Sequence, residues 1–138
     1  MADFTVELRS IPGTKAAIGR AGNHTIVIDR PDGRAGGMGL GFNGGQLLAI
    51  AIGGCLCNDL HYAAAKQGVT IRDLSVSVTV AMSGEPLVAD GAEIAVEVTA
   101  EEPAADVGAL IEAAFAGSAV SNSVMRGLPV RLTRRDDS

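Results

Sequence analysis

Apolar and polar residues alternate along three stretches of the first thirty positions, and such alternation predicts β-strands. The three stretches run over residues 4–8, 15–18 and 24–29, and the turn signals Ile11-Pro12-Gly13 and Gly22-Asn23 separate them. A small antiparallel meander is therefore expected at the start of the chain.

The stretch from Arg30 to Gly45 shows no hydrophobic period and contains seven glycines, so it predicts a loop with freedom to move. Residues 46–67 then predict one long helix that ends at Gly68. Its first half is apolar on every side, so we expect a sheet or a second subunit to cover it. The adjacent Gly53 and Gly54 lead us to expect that another backbone passes close by.

Alternation returns over residues 74–82 and 92–99, on either side of an Asp90-Gly91 turn, and predicts an antiparallel hairpin. Helices are expected over residues 103–117 and 118–125, and a last strand over 129–132. Strands grouped apart from helices indicate the α+β class. The length of 138 residues suits a single domain over 1–138.

Composition narrows the classes of function. With 47% hydrophobic and 20% charged residues the chain should fold, and its apolar runs fall short of the roughly 18 residues of a membrane span. A net charge of -5 argues against nucleic acid as a partner.

The start Met-Ala-Asp-Phe-Thr has no signal-peptide pattern, so a cytoplasmic, bacterial-type setting is expected. Two cysteines one residue apart are expected to be thiols.

Cys55 is the most unusual residue, because Asp59 follows it one helical turn later on the same face. A carboxylate disfavours a thiolate, so thiolate chemistry would need a cation from elsewhere, such as Lys15, Arg20 or Arg9. The plainer alternative is that Cys55 is a small buried hydrophobic residue.

Cys57 lies about 200° around the helix from Cys55, so an intact helix keeps the two sulfurs apart. Cys57 shares a face with His61, which suggests an edge of a metal site. Two ligands are too few for zinc, and a packed thiol beside a solvated histidine is the favoured interpretation. The glycine-rich loop also lacks the residue order of phosphate-binding loops, and no cofactor is expected.

Four segments carry a resemblance to a known family. Asn43-Gly44-Gly45-Gln46-Leu47 precedes the apolar helix, and Gly53-Gly54-Cys55 lies within it. Ser118-Ala119-Val120-Ser121-Asn122 precedes the expected last strand, and Asp29 to Gly37 resembles the loop that leads to the helix. Together they make the chain similar to the OsmC/Ohr family of osmotically inducible and organic hydroperoxide resistance proteins.

That resemblance implies an intertwined homodimer in which antiparallel sheets from both chains wrap around long central helices. It also implies that Cys55 attacks a small-molecule hydroperoxide as a thiolate and becomes a sulfenic acid. In the family a second cysteine then forms a disulfide, which an external thiol reduces.

The chain departs from the family pattern at two positions. Ser118 stands at the place of the second cysteine, and Gly45 stands at the place of the acid that orients a catalytic arginine. Lys15 or Arg20 is expected to supply the cation. The resemblance therefore implies a one-cysteine peroxidase reduced directly by external thiol.

The alternative is a non-catalytic dimer that binds a small apolar ligand or serves in a stress response. In either case we expect four further side chains to line the pocket: Gln46, Cys57, His61 and Ser118.

Overall fold

The computed structural model describes residues 1–135 and has the mixed α+β architecture expected from the sequence. Its elements are β1 (Glu7–Ser10), β2 (Ala17–Ala21), β3 (His24–Ile28), α1 (Gly44–Gln67), β4 (Ile71–Ser83), β5 (Val88–Ala100), α2 (Val107–Ala116) and α3 (Ala119–Arg126). They form two compact units, one of Met1–Ala49 and one that begins at Ile50.

The first unit contains an antiparallel sheet in the order β1-β2-β3, which confirms the predicted meander. Gly22 turns the chain between β2 and β3 with a positive φ of 60°, a conformation that glycine adopts without strain. β1 begins three residues later than predicted, at Glu7, because its pairing with β2 starts there and runs from Glu7 opposite Arg20 to Ser10 opposite Ala17.

The glycine-rich segment after β3 is a loop, as predicted, but hydrogen bonds anchor it. Asp29 is 3% exposed, and its carboxylate accepts the N–H groups of Arg30 at 2.8 Å and of Met38 and Leu40 at 3.0 Å. These bonds, with that of Leu40 foremost, hold the pKa of Asp29 below its ordinary value although burial opposes the shift. One buried carboxylate therefore ties the start of the loop at Arg30 to its later part at Met38 and Leu40.

α1 begins two residues earlier than predicted and ends at Gln67 as expected, followed by Gly68 with a φ of 69°. Asn43 and Gln46 cap its start reciprocally: each backbone N–H donates to the other side chain, at 3.0 and 2.9 Å. The helix buries one face, formed by Ile52, Gly53, Leu56, Leu60 and Ala64.

The two helical glycines differ in their surroundings. A Cβ on Gly53 would lie 2.9 Å from Cγ2 of Val78, whereas a Cβ on Gly54 would meet nothing within 4 Å. Among the described residues, no backbone outside α1 therefore lies within 4 Å of either added Cβ, and a partner chain's backbone close to Gly54 stays a prediction. Gly53 makes room for a valine side chain of β4, and the Gly54 position is open.

β4 and β5 form the predicted antiparallel hairpin in the second unit, but its turn is not at Asp90-Gly91. Both residues lie within β5, and the chain turns at Gly84, which has a φ of 90°. The register shifts between Ala81 and Met82, which pair with Gly91 and Ala89, so Asp90 is the extra residue of a bulge. The Asp-Gly signal marked this bulge.

The core of the second unit lies between α1, α2 and one face of the hairpin. Leu56, Leu60 and Ala64 of α1 pack with Leu110 and Ala114 of α2. α2 starts at Val107, four residues later than predicted, because Asp106 caps it by accepting the N–H of Ala109 at 3.0 Å. α3 follows within one residue of its predicted position.

The predicted strand over residues 129–132 is wrong for the single chain, because these residues pair with no strand among residues 1–135. Val130 and Leu132 remain exposed. Alternating apolar residues form a strand only when a neighbouring backbone accepts and donates the ladder hydrogen bonds.

By length and composition α1 reaches the size of a membrane span, contrary to the expectation from apolar runs, and the bent pair α2 and α3 does so if taken together. The core helix of a soluble protein meets the same test. α1 contributes Leu56 and Leu60 to a packed core, so its apolar composition has a structural reason here.

Candidate functional site

Cys55 and Asp59 meet on α1 as predicted. The Cys55 Sγ–H donates to Asp59 Oδ2 across 3.4 Å, and both residues are half-buried. The helix brings them together because residues four apart lie one above the other on the same face. The thiol therefore has a proton acceptor in contact and retains access to solvent.

The neighbours of Cys55 along α1 hold it in place. Leu56 and Leu60 are buried in the core, at 1% and 0% exposure, and fix the rotation of the helix about its axis. Gly53 allows α1 to approach Val78 of β4. Cys55 and Asp59 thus lie on α1 outside the face that packs against the hairpin.

Cys57 is a half-buried free thiol on another side of the helix, and His61 is exposed. Among residues 1–135 no three histidine, cysteine or acidic side chains are grouped as metal ligands would be. Cys57 and His61 therefore remain candidates for a pocket lining rather than for a metal centre.

The candidate cations Lys15 and Arg20 belong to the first unit, and their pairing with Cys55 of the second unit stays a prediction. The Lys15 stem lies against Gly36, where a Cβ would come within 2.9 Å of Lys15 Cδ. The Arg30 guanidinium donates to the Lys15 carbonyl and contacts Asp29 at 3.3 Å. The glycine-rich loop thus contacts Lys15, and both Lys15 and Arg20 are exposed residues.

Gln46 and Gly45 lie in the first turn of α1, where the sequence predicted a pocket residue and a lost acid. The Gln46 side chain accepts the Asn43 N–H, so it has a capping role that the sequence interpretation did not assign. Gly45 offers no side chain, so any orienting acid for a cation must come from another position. Elsewhere in the first unit, the Asp29 carboxylate contacts the Arg30 guanidinium at 3.3 Å and orients it.

Ser118 is completely buried at the N-cap of α3, and its hydroxyl makes no capping hydrogen bond. Ser121, one turn later, is also buried and was not singled out from the sequence. Neither Oγ has a hydrogen-bond partner among the described residues. Asp29 was missed as well, although an aspartate between an apolar strand and a glycine-rich loop is a recognisable anchor.

Solved structures with the same fold include several of known family. An OsmC-like protein from Mycoplasma pneumoniae superposes with a TM-score of 0.75 at 16% identity, covering 92% of this chain and 89% of that one. The organic hydroperoxide resistance protein OsmC from Legionella pneumophila gives 0.67 at 19% identity, with coverage of 92% and 91%. The organic hydroperoxide resistance protein OhrB of Bacillus subtilis gives 0.54 at 24% identity, with coverage of 92% and 93%.

At these identities the structures establish the fold alone. No curated protein sequence is significantly similar to the chain. The sequence profile described as OsmC-like protein, however, matches residues 36–133, which include α1, the hairpin, α2 and α3. Because that match covers well over half of its length, the chain belongs to the OsmC-like family.

Proposed function

We propose that the protein reduces small organic hydroperoxides with a single cysteine, Cys55, and with an external thiol as reductant. The observation that carries this proposal is the contact of 3.4 Å between the Cys55 thiol and the Asp59 carboxylate on a half-buried flank of α1. The fold supports it, because structural relatives include proteins named for organic hydroperoxide resistance.

The reaction runs in two stages. The Cys55 sulfur attacks the terminal oxygen of the hydroperoxide, the O–O bond breaks, and the alkoxide leaves with a proton as an alcohol. Cys55 is thereby oxidised to a sulfenic acid. An external thiol then attacks the sulfenic sulfur and releases water, and a second thiol reduces the mixed disulfide and restores Cys55.

Asp59 is the group in a position to move the proton. The thiol must lose its proton before or while sulfur attacks oxygen, and the departing alkoxide must gain one. The Asp59 carboxylate accepts a hydrogen bond from Sγ, so it can take the thiol proton and return it to the leaving oxygen. A cation is still needed beside the sulfur, and Lys15 and Arg20 are the candidates.

The one-cysteine cycle follows from the cysteine inventory. The only other cysteine, Cys57, points to another side of the helix, and an intact α1 cannot bring the two sulfurs within bonding distance. Ser118 stands where the family resemblance places the second thiol. A reducing compartment supplies thiols in quantity, which supports a cytoplasmic setting.

We also propose that the working form is a homodimer. The side of α1 that does not face the hairpin is exposed over residues 50–62 and carries no aspartate, glutamate, lysine or arginine there: Ile50, Ala51, Gly54, Asn58, His61 and Tyr62. A second copy of the chain would cover this face.

The experiment that tests the activity measures the consumption of cumene hydroperoxide with dithiothreitol as reductant. Wild type and the Cys57→Ser variant should turn over, and Cys55→Ser should be inactive. The reverse pattern would show that Cys57 is the reactive sulfur. If wild type consumes no more hydroperoxide than a reaction without protein while the dimer stays folded, the apolar-ligand alternative replaces the peroxidase.

A second comparison separates the candidate cations. Lys15→Met and Arg20→Met each remove one positive charge and leave the other. Replacing the residue that faces the sulfur should lower the turnover rate by about tenfold or more. Each tenfold loss corresponds to about 1.4 kcal/mol of thiolate stabilisation. If both variants turn over at the wild-type rate, neither residue has this role.

A further inference from the structure

Ser118 and Ser121 lie one turn apart on the same side of α3, and both are more than nine-tenths buried. Neither hydroxyl oxygen has a hydrogen-bond partner among the described residues. Two neighbouring polar side chains of this helix are bonded: Asn122 donates to the Ala116 carbonyl at 3.0 Å and Ser123 to the Ala119 carbonyl at 2.7 Å. The unpaired hydroxyls are therefore a local exception to the rule that buried polar groups are bonded.

A simple partner is available to Ser118 and is not used. A serine at the N-cap normally accepts the backbone N–H two or three residues later, and here it makes no such bond. The first intrahelical bond runs from Asn122 N–H to the Ser118 carbonyl, so the N–H groups of residues 119–121 precede it. The two serine hydroxyls and these three N–H groups thus lie together at the N-terminal, positive end of the helix dipole.

We propose that Ser118, Ser121 and the first turn of α3 form an internal binding site for one small oxygen ligand. The ligand is a water molecule or an oxygen of an inorganic oxyanion such as phosphate or sulfate. Both share the chemistry that the site offers, since hydroxyl and amide hydrogens bond an oxygen acceptor. Complete burial of Ser118 limits the ligand to a few atoms.

The effect of removing each hydroxyl distinguishes a filled site from an empty one. In an empty site the hydroxyl has only the cost of lost hydration, so Ser→Ala raises the melting temperature. In a filled site Ser→Ala removes the hydrogen bond between the hydroxyl and the ligand. The ligand then lacks one partner, so the melting temperature falls. Since one ligand joins both residues, the two losses must be coupled.

The test uses the full chain and follows thermal unfolding of Ser118→Ala, Ser121→Ala and the double variant. Each single change should lower the melting temperature by roughly 2 to 6 °C, and the double variant should lose less than the sum. Ser123→Ala is the matched control, because it removes a bonded hydroxyl from the same helix outside the site. An increase for either single change, or strict additivity, would overturn the proposal.

Titration with phosphate and sulfate at constant ionic strength distinguishes the two ligands. A rise in melting temperature for wild type that the double variant lacks identifies an oxyanion, and no response identifies water. A crystal structure at about 1.5 Å resolution is the second readout, which does not depend on how the variants fold. Density for an oxygen within hydrogen-bond distance of both hydroxyls supports the site, and its absence refutes it.

Discussion

The Cys55 thiol donates a hydrogen bond to the Asp59 carboxylate across 3.4 Å, one turn further along α1. The carboxylate in that place provides an acceptor for the proton that the thiol must release. Changing Asp59 tests whether the reaction uses this acceptor.

Asp59→Asn should therefore affect two reactions of Cys55 differently. Alkylation of Cys55 by iodoacetamide at pH 7 should continue, because that reaction returns no proton to a leaving oxygen. Without the proton acceptor the turnover of cumene hydroperoxide should fall by about tenfold or more. Cys57→Ser in the same background restricts labelling to Cys55. Parallel changes in both rates would show that Asp59 does not move the proton.

Asp29 should make the stability of the protein depend on pH. Its folded-state pKa lies below the ordinary value of 3.8, so its carboxylate stabilises the fold above pH 3.8, and this contribution is lost as the pH falls through the folded pKa. Asp29→Asn should lower the denaturant midpoint at pH 7, because an amide cannot accept all of the loop N–H groups. The difference from wild type should shrink below pH 3.8.

Asp32→Asn is the matched control for that measurement. Asp32 lies in the same loop and is exposed, so its replacement should leave the midpoint unchanged at both pH values. A loss of stability equal to that of Asp29→Asn would mean that the charge of the loop, rather than the buried carboxylate, holds it.

Gly53→Ala should destabilise the protein in spite of the better helix propensity of alanine. The new Cβ would come within 2.9 Å of Val78 Cγ2, and valine has little freedom to move aside. Overpacking costs about 1 to 3 kcal/mol and the propensity gain is at most about 1 kcal/mol, so a net loss is expected from chemical denaturation. Gly108→Ala in α2, where the Cβ has ordinary contacts, should cause no loss.

Light scattering should return the mass of two chains at micromolar concentration if the exposed face of α1 is an interface. Ile50→Glu places a charge on that face, where the isoleucine is 44% exposed in the single chain, and should shift the mass toward one chain. Leu87→Glu introduces the same charge at the exposed tip of the hairpin and should leave the dimer intact. A monomeric wild type would contradict the proposed assembly.

Local rules in the sequence were enough to predict most elements of this fold. Alternation predicted the meander and the hairpin, apolar density predicted α1, and Gly68 marked its end, because strand and helix periods and glycine stops are properties of short segments. The pairing of Cys55 with Asp59 follows from the same helical period. The motifs around Gln46 and Cys55 were enough to indicate the family.

Tertiary structure decided what depends on a partner distant in the chain. Pairing placed Asp90 in a bulge, and without a neighbouring strand residues 129–132 remained unpaired, since ladder bonds need a second backbone. Packing alone made Gly53 tight and left Gly54 open, although the two are adjacent in sequence. Burial likewise turned Asp29 into an anchor and left two serine hydroxyls without partners among residues 1–135. The cost of an unpaired polar group arises only when the fold removes water from it.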